Sequence, residues 1–515
     1  MPSTLPTIAL PPPLGGKANR ESTIIPPTML VDCENFYSRD QTVRLRDGLS
    51  LLGQSLAQRI TGLVQYFHND GVLRMVLGTT TGWWRYDIAT AQWVDITGIP
   101  ALTAGDVNLQ VFRVFQKAGT TTLLGVNGKD SPKKWNGIAA TYSTLGGTPP
   151  DAKTMMTLAN RVMLGFLTSG STQSPTAIDV SALNDFDSGW GSVLVALLAD
   201  TPGDIVAMQE MTAVTGAIWK SDALYLAIAQ GATSPFRFEL RLAGIAGPVS
   251  AHAVVPLQDG SQLYLANDFS VKVFDGASVR HVGGENGYDL QRHIAATANS
   301  LQFGKAFGYL DKHRNMAWFY YPGIGQTACG HAVALDMSSG AFWPMRWTTQ
   351  LFSGGLQAEV GSGLTIGELI GTIGGFDPGL TLGDFASSVP RVLTCAIGGK
   401  TYIDIGVTDE GTAIPFFLET GLTRSTPQVV TISAVEHLFR QASTTQAVLA
   451  MIGVSQAGET PVFDAGTSLD ISGSGPHLSQ HRATGKLFSL RLEGTATARV
   501  EWRGADAAYA SRGRR

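Results

Sequence analysis

The histidines and carboxylates at residues 281–293 have the side chains best suited to metal binding or catalysis. His281 and His293 flank Glu285 and Asp289 in this stretch. Imidazole nitrogens and carboxylate oxygens ligate metal ions, and the same groups can act as general acid and base. The intervening "GGENG" is also typical of an ordinary turn, because Gly and Asn adopt turn conformations at little cost. A metal or acid–base site and a plain turn are therefore both open here, and the turn is favoured.

Motifs for nucleophilic catalysis and phosphate binding are missing from the sequence. The Gly-x-Ser-x-Gly turn that presents a catalytic serine does not occur, and the nearest string is "GTSLD". The stretch "GVNGKDS" at 125–131 is similar to a phosphate-binding loop, but its glycines are too close together and Asp130 separates Lys129 from Ser131. We interpret 125–131 as a turn between two strands.

Glycoside hydrolysis is not indicated by the acidic residues either. That chemistry needs two carboxylates placed across a cleft, and the 41 Asp and Glu residues here are scattered without a distinctive pair. The stretch "DMSSGAFW", which begins at Asp336, resembles the Asp-box turn of sialidase propellers, but its Gly follows the Asp by four positions instead of two. We therefore expect no enzymatic activity and no cofactor or metal.

The composition favours a large, β-rich protein with few surface charges. A chain of 515 residues is long enough for several domains or one repetitive domain. Gly contributes 60 residues, and charged residues make up only 15% against about 25% in typical soluble domains. The net charge of −4 argues against a dedicated nucleic-acid-binding surface, which is usually basic. Low charge is also expected of a surface that is largely used in contacts with other subunits.

Neither the cysteines nor the N-terminus indicates secretion or membrane insertion. Cys33, Cys329 and Cys395 are too few and too far apart for a disulfide framework or a Cys-x-x-Cys metal site. The Pro-rich start lacks the basic region of a signal peptide, and no apolar run approaches the ~18 residues that a membrane span needs. We expect a soluble chain that is made in the cytoplasm.

Four stretches of the sequence share one hairpin pattern. Each places Asp or Asn at the end of a strand-like segment and a ring six positions later, as in "RYDIATAQW". The pairs are Asp87 and Trp93, Asn136 and Tyr142, Asp275 and His281, and Asp336 and Phe342. The middle gap, from 136 to 275, is about three periods of 46 residues, which predicts two degenerate copies near 182 and 229.

A period of 40–50 residues with several strands in each is typical of a β-propeller. The recurring ring would fill the wedge between neighbouring blades, and the alternative is a set of ordinary antiparallel hairpins with coincidental rings. We predict an all-β fold, with a propeller of about six blades, an additional C-terminal β region and an extended N-terminal arm. Residues 1–30 are expected to be flexible or to lie on a neighbouring subunit.

The expected domains are an N-terminal arm and leading segment, a propeller, and a region that holds the last propeller strands and a β-sandwich-like part with a basic tail. Their boundaries are 1–54, 55–350 and 351–515. Partly helical spacing of apolar residues also marks three candidate helices. They lie at 191–200, 289–302 and 432–442.

The leading segment "TMLVDCENFYSRDQTVRLRDGLSLLG" (28–53) resembles the start of tail proteins with a β-propeller body from tailed bacteriophages. These are the tail nozzle or tail-hub proteins of short-tailed phages, in which an N-(F/W)…R-x-G-(L/Y) string leads into the propeller. The matching residues are Asn35, Phe36, Arg46, Gly48 and Leu49, while Asp47 stands where Pro or Lys is common. "GLTIGELIGTIGGFDPGLTLGDF" resembles paired turns of such proteins with Gly367 and Gly383 in place of Asp, and "FLETGLTR" resembles the strand that follows.

This resemblance covers residues 28 to about 440 and implies a structural protein of the virion tail. It implies a homo-oligomeric, usually hexameric ring below the portal and its adaptor, with a channel that retains the genome's leading end and lets duplex DNA pass. A mildly acidic chain suits such a channel, because it does not grip phosphates. The basic cluster at the tail could contact DNA or a partner protein. It consists of Arg512, Arg514 and Arg515.

A glycan-binding or glycan-degrading propeller of a phage tail is the alternative function. It would need acids and aromatic rings gathered on one face, and tryptophans could supply the rings. The candidates are Trp83, Trp84, Trp343 and Trp347. Tryptophans at hairpin positions lie more often in the core between blades, which is why the structural function is favoured.

Overall fold

The fold is described by a computed structural model of the chain. It covers residues 7–10, 16–17, 25, 29–39, 42–105, 107–170, 172–231, 234–283, 288–312, 314–358, 391–396, 398–404, 406–424, 429–440, 442, 444–455, 460–473 and 477–511. Within these ranges the chain forms 41 β-strands and one α-helix. The all-β class predicted from the sequence is confirmed.

The first 54 residues contribute five short strands, four of which pair with strands from the end of the chain, while β3 pairs with β4. They are β1 (Thr7–Leu10), β2 (Leu30–Glu34), β3 (Phe36–Arg39), β4 (Thr42–Leu45) and β5 (Leu49–Leu51).

Five antiparallel sheets of four strands follow, and the first four strands of a larger sheet continue the series. We number these six four-stranded units sheets 1 to 6 along the chain. Sheet 1 consists of β6 (Ile60–Phe67), β7 (Leu73–Thr79), β8 (Trp83–Asp87) and β9 (Gln92–Asp95). Sheet 2 consists of β10 (Val111–Lys117), β11 (Thr120–Val126), β12 (Lys133–Trp135) and β13 (Ser143–Thr144). Sheet 3 consists of β14 (Asp151–Leu158), β15 (Arg161–Ser169), β16 (Thr172–Val180) and β17 (Leu194–Leu197). Sheet 4 consists of β18 (Ile205–Thr212), β19 (Thr215–Lys220), β20 (Ala223–Ala229) and β21 (Phe236–Ala243). Sheet 5 consists of β22 (Val254–Pro256), β23 (Gln262–Leu265), β24 (Val271–Phe274) and β25 (Val279–Val282). Sheet 6 consists of β26 (Phe307–Asp311), β27 (Met316–Pro322), β28 (Cys329–Asp336) and β29 (Phe342–Ala358).

The repeat length predicted from the hairpins agrees with these sheets. The third strands of the six sheets end at residues 87, 135, 180, 229, 274 and 336. The predicted copies near 182 and 229 therefore coincide with the ends of the third strands in sheets 3 and 4. Second strands such as "TTLLGV" and "RVMLGF" are buried along almost their whole length, because their sheets are covered on both faces by neighbours.

Neighbouring sheets pack through apolar side chains, and their first strands contact one another in chain order from β6 to β26. Five separate apolar clusters fill the interfaces between sheets 1 and 2, 2 and 3, 3 and 4, 4 and 5, and 5 and 6. The side chain of Trp83 fits between sheets 1 and 2 because residue 125 is Gly. A Cβ at this position would lie 2.4 Å from the indole ring. Strand β29 contacts β6 and so joins sheet 6 to sheet 1.

One of the three predicted helices is present. Helix α1 (Tyr288–Thr297) precedes β26, and a 3-10 helix (Ser300–Lys305) follows it, which confirms most of 289–302. The prediction for 191–200 is wrong, since this stretch contains β17. No helix in the described ranges has the length and apolar character that a membrane span requires.

Strands from both ends of the chain form two further sheets. The C-terminal strands are β30 (Arg391–Ala396), β31 (Thr401–Asp404), β32 (Thr408–Asp409), β33 (Thr412–Thr420), β34 (Thr423–Arg424), β35 (Val430–Phe439), β36 (Ala447–Ser455), β37 (Val462–Phe463), β38 (Thr467–Asp470), β39 (His477–Gly485), β40 (Leu487–Ala496) and β41 (Glu501–Ser511). Terminal sheet A has the order β3-β4-β41-β35-β39, with β1 on β41. Terminal sheet B continues from β29 as β30-β31-β5-β32-β33-β40-β36-β37, with β2, β34 and β38 attached. One apolar core joins both sheets to sheet 6.

The helix predicted at 432–442 is wrong, and its cause is visible in β35. A register shift, the mark of a β-bulge, lies between Ile432 and Ala434. The buried positions are therefore 430, 432, 435 and 437, so that one interval of three residues interrupts the strand alternation. That interval imitates helical spacing in the sequence.

Two expectations about the ends of the chain are also corrected. The boundary expected at 350/351 falls inside β29. The described parts of residues 1–30 do not stand apart from the chain, because β1 pairs with β41 and the backbone NH of Lys17 donates to the carbonyl of Phe342. These parts of the arm belong to the chain's own fold.

Candidate functional site

The four polar anchors of the hairpin pattern cap turns between the third and fourth strands of sheets 1, 2, 5 and 6. Asn136 Oδ1 accepts hydrogen bonds from the backbone NH of Ile138 at 3.1 Å and Ala139 at 2.8 Å. The carboxylates of Asp87, Asp275 and Asp336 likewise accept from NH groups two residues on. The repeated residue type therefore has a local cause, since Asp and Asn stabilise a turn by accepting such bonds.

Three of the four rings of the pattern are buried, although not all between neighbouring sheets. Tyr142 lies between sheets 1 and 2, and Phe342 lies between sheets 5 and 6. Trp93 instead packs against the leading segment, and its indole NH lies 3.0 Å from the Leu52 carbonyl. His281 is only half-buried and contacts Tyr288, with ring centroids 5.3 Å apart.

The residues of the leading segment that match the tail-protein string lie together at one junction, which is centred on Arg46. All of its guanidinium nitrogens donate hydrogen bonds: Nε to Asn35 Oδ1 at 3.0 Å, and both Nη atoms to the Asp409 carboxylate at 2.8 and 2.6 Å. Further bonds reach the carbonyls of Asp47 and Arg346. The side chains of Arg46 and Asp409 are almost completely buried, so the two charges are compensated by each other.

Asn35 links the leading segment to two other parts of the chain. Its side-chain amide donates to the carbonyl of Pro415 at 2.7 Å, and its Oδ1 also accepts from the NH of Arg346. The backbone of Asn35 has φ of +68°, a conformation that Asn tolerates better than most residues. Phe36 beside it packs edge-on against Phe416, with ring centroids 5.4 Å apart.

Gly48 and Asp47 complete the same junction. A Cβ on Gly48 would lie 2.1 Å from the Thr408 carbonyl, so only Gly permits this close approach of two backbones. Asp47 forms an ion pair with Arg314, which also contacts Asp311 and Asp404. Burial raises the pKa of the Asp404 carboxyl.

A cavity of about 890 Å³ lies where the first strands of all six sheets converge. Its lining comes mainly from β6, β10, β14, β18, β22 and β26, with Leu73 of β7 and with Ala251 and His252 of the short 3-10 helix before β22. It extends to the ends of the first strands at Phe67, Pro256 and Lys312, beside the turns that join first and second strands. We call it the axial cavity.

Two side chains cross the space between the first strands and approach a sheet that does not adjoin their own. Arg113 of sheet 2 donates from Nη2 to the Met208 carbonyl at 3.0 Å and to Gln209 Oε1 at 2.9 Å, both in sheet 4. His252, next to β22 of sheet 5, has Nε2 3.1 Å from the Gln110 carbonyl at the start of sheet 2. Burial lowers the pKa of His252 to about 4, so the ring is neutral at pH 7. These bridges occupy part of the space between the first strands.

The structure does not assemble the metal or acid–base site considered at 281–293. Glu285 lies outside the described residues. Asp289 is buried and lies 3.9 Å from Arg292, while burial lowers the pKa of His293 to about 3 beside the ring of Phe342. Within the described ranges no group of three or more His, Cys, Asp or Glu side chains could hold a metal ion.

Other candidates from the sequence have structural positions. Residues 125–131 form the predicted turn between β11 and β12, in which Asn127 Oδ1 accepts from the NH groups of Lys129 and Asp130. Burial raises the pKa of the Cys33 and Cys329 thiols, which are not disulfide-bonded. Arg512, Arg514 and Arg515 lie outside the described residues, as do Gly367 and Gly383.

The four tryptophans considered as a sugar platform do not form one. Trp83, Trp343 and Trp347 are at most 3% exposed, and Trp84 is partly buried beside Trp93.

No protein-family model and no curated protein matches this chain.

Sequence reasoning missed the polar residues of the axial cavity and the partner of Arg46. Arg113, Gln209 and Glu210 lie on first strands, between apolar residues of "VFRVFQK" and "IVAMQEMT". Superposing the repeats would have shown polar residues at positions where a strand buried between two sheets is expected to be apolar. Nothing in the sequence around Asp409 indicated that this residue pairs with Arg46.

Proposed function

We propose that this chain is a structural subunit of a bacteriophage tail, a nozzle or hub protein that assembles into a ring. In this proposal sheets 1–6 are the blades of a β-propeller, and terminal sheets A and B, with the leading segment, form its attachment region. Six four-stranded meanders whose first strands converge on one cavity support the propeller.

The observation that carries the proposal is the junction around Arg46. The short motif on which the resemblance to tail nozzle proteins rests has Asn35, Arg46 and Gly48 in direct contact with sheet 6 and terminal sheet B. A chance string of residues would have no reason to converge in this way. The motif thus acts as a structural clamp, as expected if it marks a family with this architecture.

The axial cavity supports a channel between subunits rather than through one chain. Its volume of about 890 Å³ is that of a small-ligand pocket, and Arg113 and His252 bridge the space between the first strands. Duplex DNA has no room there. In the proposed ring, DNA is retained and conducted along the axis of the oligomer, and the portal adaptor and other tail proteins are the neighbours.

Exposed apolar side chains at the turns are consistent with subunit contacts. Phe67 and Ile138 are 63% and 72% exposed, and their turns touch because His68 Nε2 lies 3.0 Å from the Asn136 carbonyl. Large side chains of this kind on a surface of low charge favour protein–protein contact.

Native mass spectrometry of the purified full chain tests the proposal. We expect an oligomer, with six copies implied by the resemblance, that weakens in the double variant Phe67→Ser/Ile138→Ser if this patch lies in the interface. Leu301→Ser, at a 90% exposed residue between α1 and β26, is the matched control. A monomer at all concentrations would overturn the ring.

A glycan-cleavage screen on the same preparation addresses the alternative, a glycan-degrading propeller. The proposed structural function predicts no release of reducing ends from bacterial polysaccharides. Cleavage that is lost in a variant of a carboxylate would instead establish an enzyme.

A further inference from the structure

We propose that the axial cavity is a binding site for a neutral sugar of one or two pyranose units. This goes beyond the structural function, which requires no ligand. The cavity volume of about 890 Å³ falls within the range of ligand pockets, roughly 300–1,000 Å³. Most of its wall residues lie on strands, which gives a site a fixed geometry.

Several polar groups in the lining have unused hydrogen-bonding capacity. The amide of Gln65 makes no hydrogen bond in the part of the chain that the structure describes. Gln209 accepts from Arg113 through Oε1, but its Nε2 has no partner there. Glu210 accepts a hydrogen bond from the Thr157 hydroxyl through Oε1, which leaves its Oε2 available. These atoms are accessible to solvent, so water occupies their hydrogen-bonding positions in the free protein, and the hydroxyl groups of a ligand can replace that water.

His252 adds an acceptor of defined tautomer. Its Nε2 faces the Gln110 carbonyl, which can only accept, so Nε2 carries the proton. Because the neutral form is present at pH 7, Nδ1 has a free lone pair. Arg113 donates three bonds from Nη1 and Nη2 to protein oxygens, whereas its Nε is buried and has no hydrogen-bond partner among the described residues.

This combination selects a ligand that both donates and accepts without charge. A phosphate or carboxylate would face the Glu210 carboxylate and the His252 lone pair, and Nη1 and Nη2 of Arg113, which would form a bidentate contact with it, already donate to protein oxygens. An ammonium group would suit Glu210, but it would lie near the guanidinium of Arg113 and leave Gln209 Nε2 unpaired. Hydroxyl groups satisfy both kinds of partner.

The mouth of the cavity provides apolar surface for a sugar ring. The half-buried side chains of Leu63 and Leu310 line it together with Val255. One face of a pyranose carries mainly C–H groups, which pack against apolar and aromatic side chains.

Saturation-transfer NMR and calorimetry of the purified full chain, with neutral mono- and disaccharides of glucose, galactose, mannose and N-acetylglucosamine, test the proposal. We expect at least one of them to bind, and Gln65→Ala and Glu210→Gln each to weaken binding at least fivefold. Gln116→Ala is the matched control, because this exposed glutamine lies on β10 outside the lining and should leave the affinity unchanged.

A second readout does not depend on variants. The methyl signals of Leu63, Leu310 and Val255 should shift on titration with the sugar that binds. The proposal is overturned if no sugar of the panel binds at 10 mM concentrations (about 3 kcal/mol of binding free energy or less), or if the variants and the control bind equally. Binding of inorganic phosphate at the same methyls, in competition with the sugar, would also overturn it. The oligomeric state of the sample is read separately, so failure here leaves the structural function intact.

Discussion

Arg46 and Asp409, which are 363 residues apart in the sequence, form a buried bidentate ion pair with N–O distances of 2.8 and 2.6 Å. The pair joins the leading segment to terminal sheet B, and the guanidinium also lies over the ring of Trp347 at 4.7 Å. The two ends of the chain are thereby fastened to sheet 6.

Removing one partner of this pair should destabilise the protein strongly. Asp409→Ala leaves a buried guanidinium without its counter-charge, which costs about 3–5 kcal/mol of unfolding free energy. Urea denaturation measures the loss. Lys400→Ala is the control, because it breaks the neighbouring but exposed pair with Glu410 and should cost about 1 kcal/mol or less. Equal effects of the two substitutions would contradict the clamp.

Acid should destabilise the protein through its buried histidines. Burial, followed by the nearby His481 and His477, lowers the pKa of His437 to about 3, and burial lowers that of His293 to about 3. Both residues ionise near pH 6.5 when unfolded, so the unfolded state binds more protons below that value. Their contribution to stability is complete above pH 6.5 and is lost as the pH falls towards 3, by up to about 1.4 kcal/mol per pH unit for each residue.

The variant His437→Gln isolates one of these contributions. Its unfolding free energy should fall less steeply than that of the wild type between pH 6.5 and 4. Denaturant titrations at a series of pH values give both slopes, and parallel curves would show that His437 does not titrate on unfolding.

The buried rings of the hairpin pattern should contribute strongly to stability. Trp93→Ala and Phe342→Ala remove side chains that are at most 2% exposed, and each should cost about 3–5 kcal/mol. Ile88→Ala, at a 66% exposed position of the first of these turns, should have little effect. Thermal melts that are unchanged for Trp93→Ala would contradict the packing described for sheet 1.

The periodic part of the fold could be predicted from the sequence because each sheet packs against its neighbours in the same way, so similar residues recur at similar positions. The gap between the anchors Asn136 and Asp275 was sufficient to predict copies of the hairpin near 182 and 229, where the third strands of sheets 3 and 4 end. The bulge after Ile432 produced a false helix, since its spacing is local and ambiguous. The pairs Arg46–Asp409 and His252–Gln110 join distant parts of the chain, and no local pattern in a single sequence encodes such contacts.

Deleting residues 1–10 should destabilise the isolated chain, in contrast to the behaviour of a free arm. The deletion removes β1 from β41 and exposes the core that Leu10 covers, which corresponds to roughly 1.5–3 kcal/mol for one side chain. Deletion of residues 1–6 leaves β1 whole and is the control. If both deletions melt like the full chain, β1 contributes nothing to the fold.

Binding of free duplex DNA should be weak and independent of sequence. The three arginines of the tail can release few counterions, so the log–log slope against salt should not exceed about −3. Fluorescence anisotropy of a labelled duplex measures this, and removal of residues 512–515 should abolish most of the binding. Tight binding that survives the truncation would indicate a dedicated DNA-binding surface instead of a passive channel.

Cryo-electron microscopy of the purified oligomer tests the central proposal most directly. The proposed function predicts a closed ring of identical subunits, in which a channel wide enough for duplex DNA runs between them and the axial cavity of each chain stays apart from that channel. Monomers, open filaments or a ring whose central opening is narrower than a DNA duplex would contradict it.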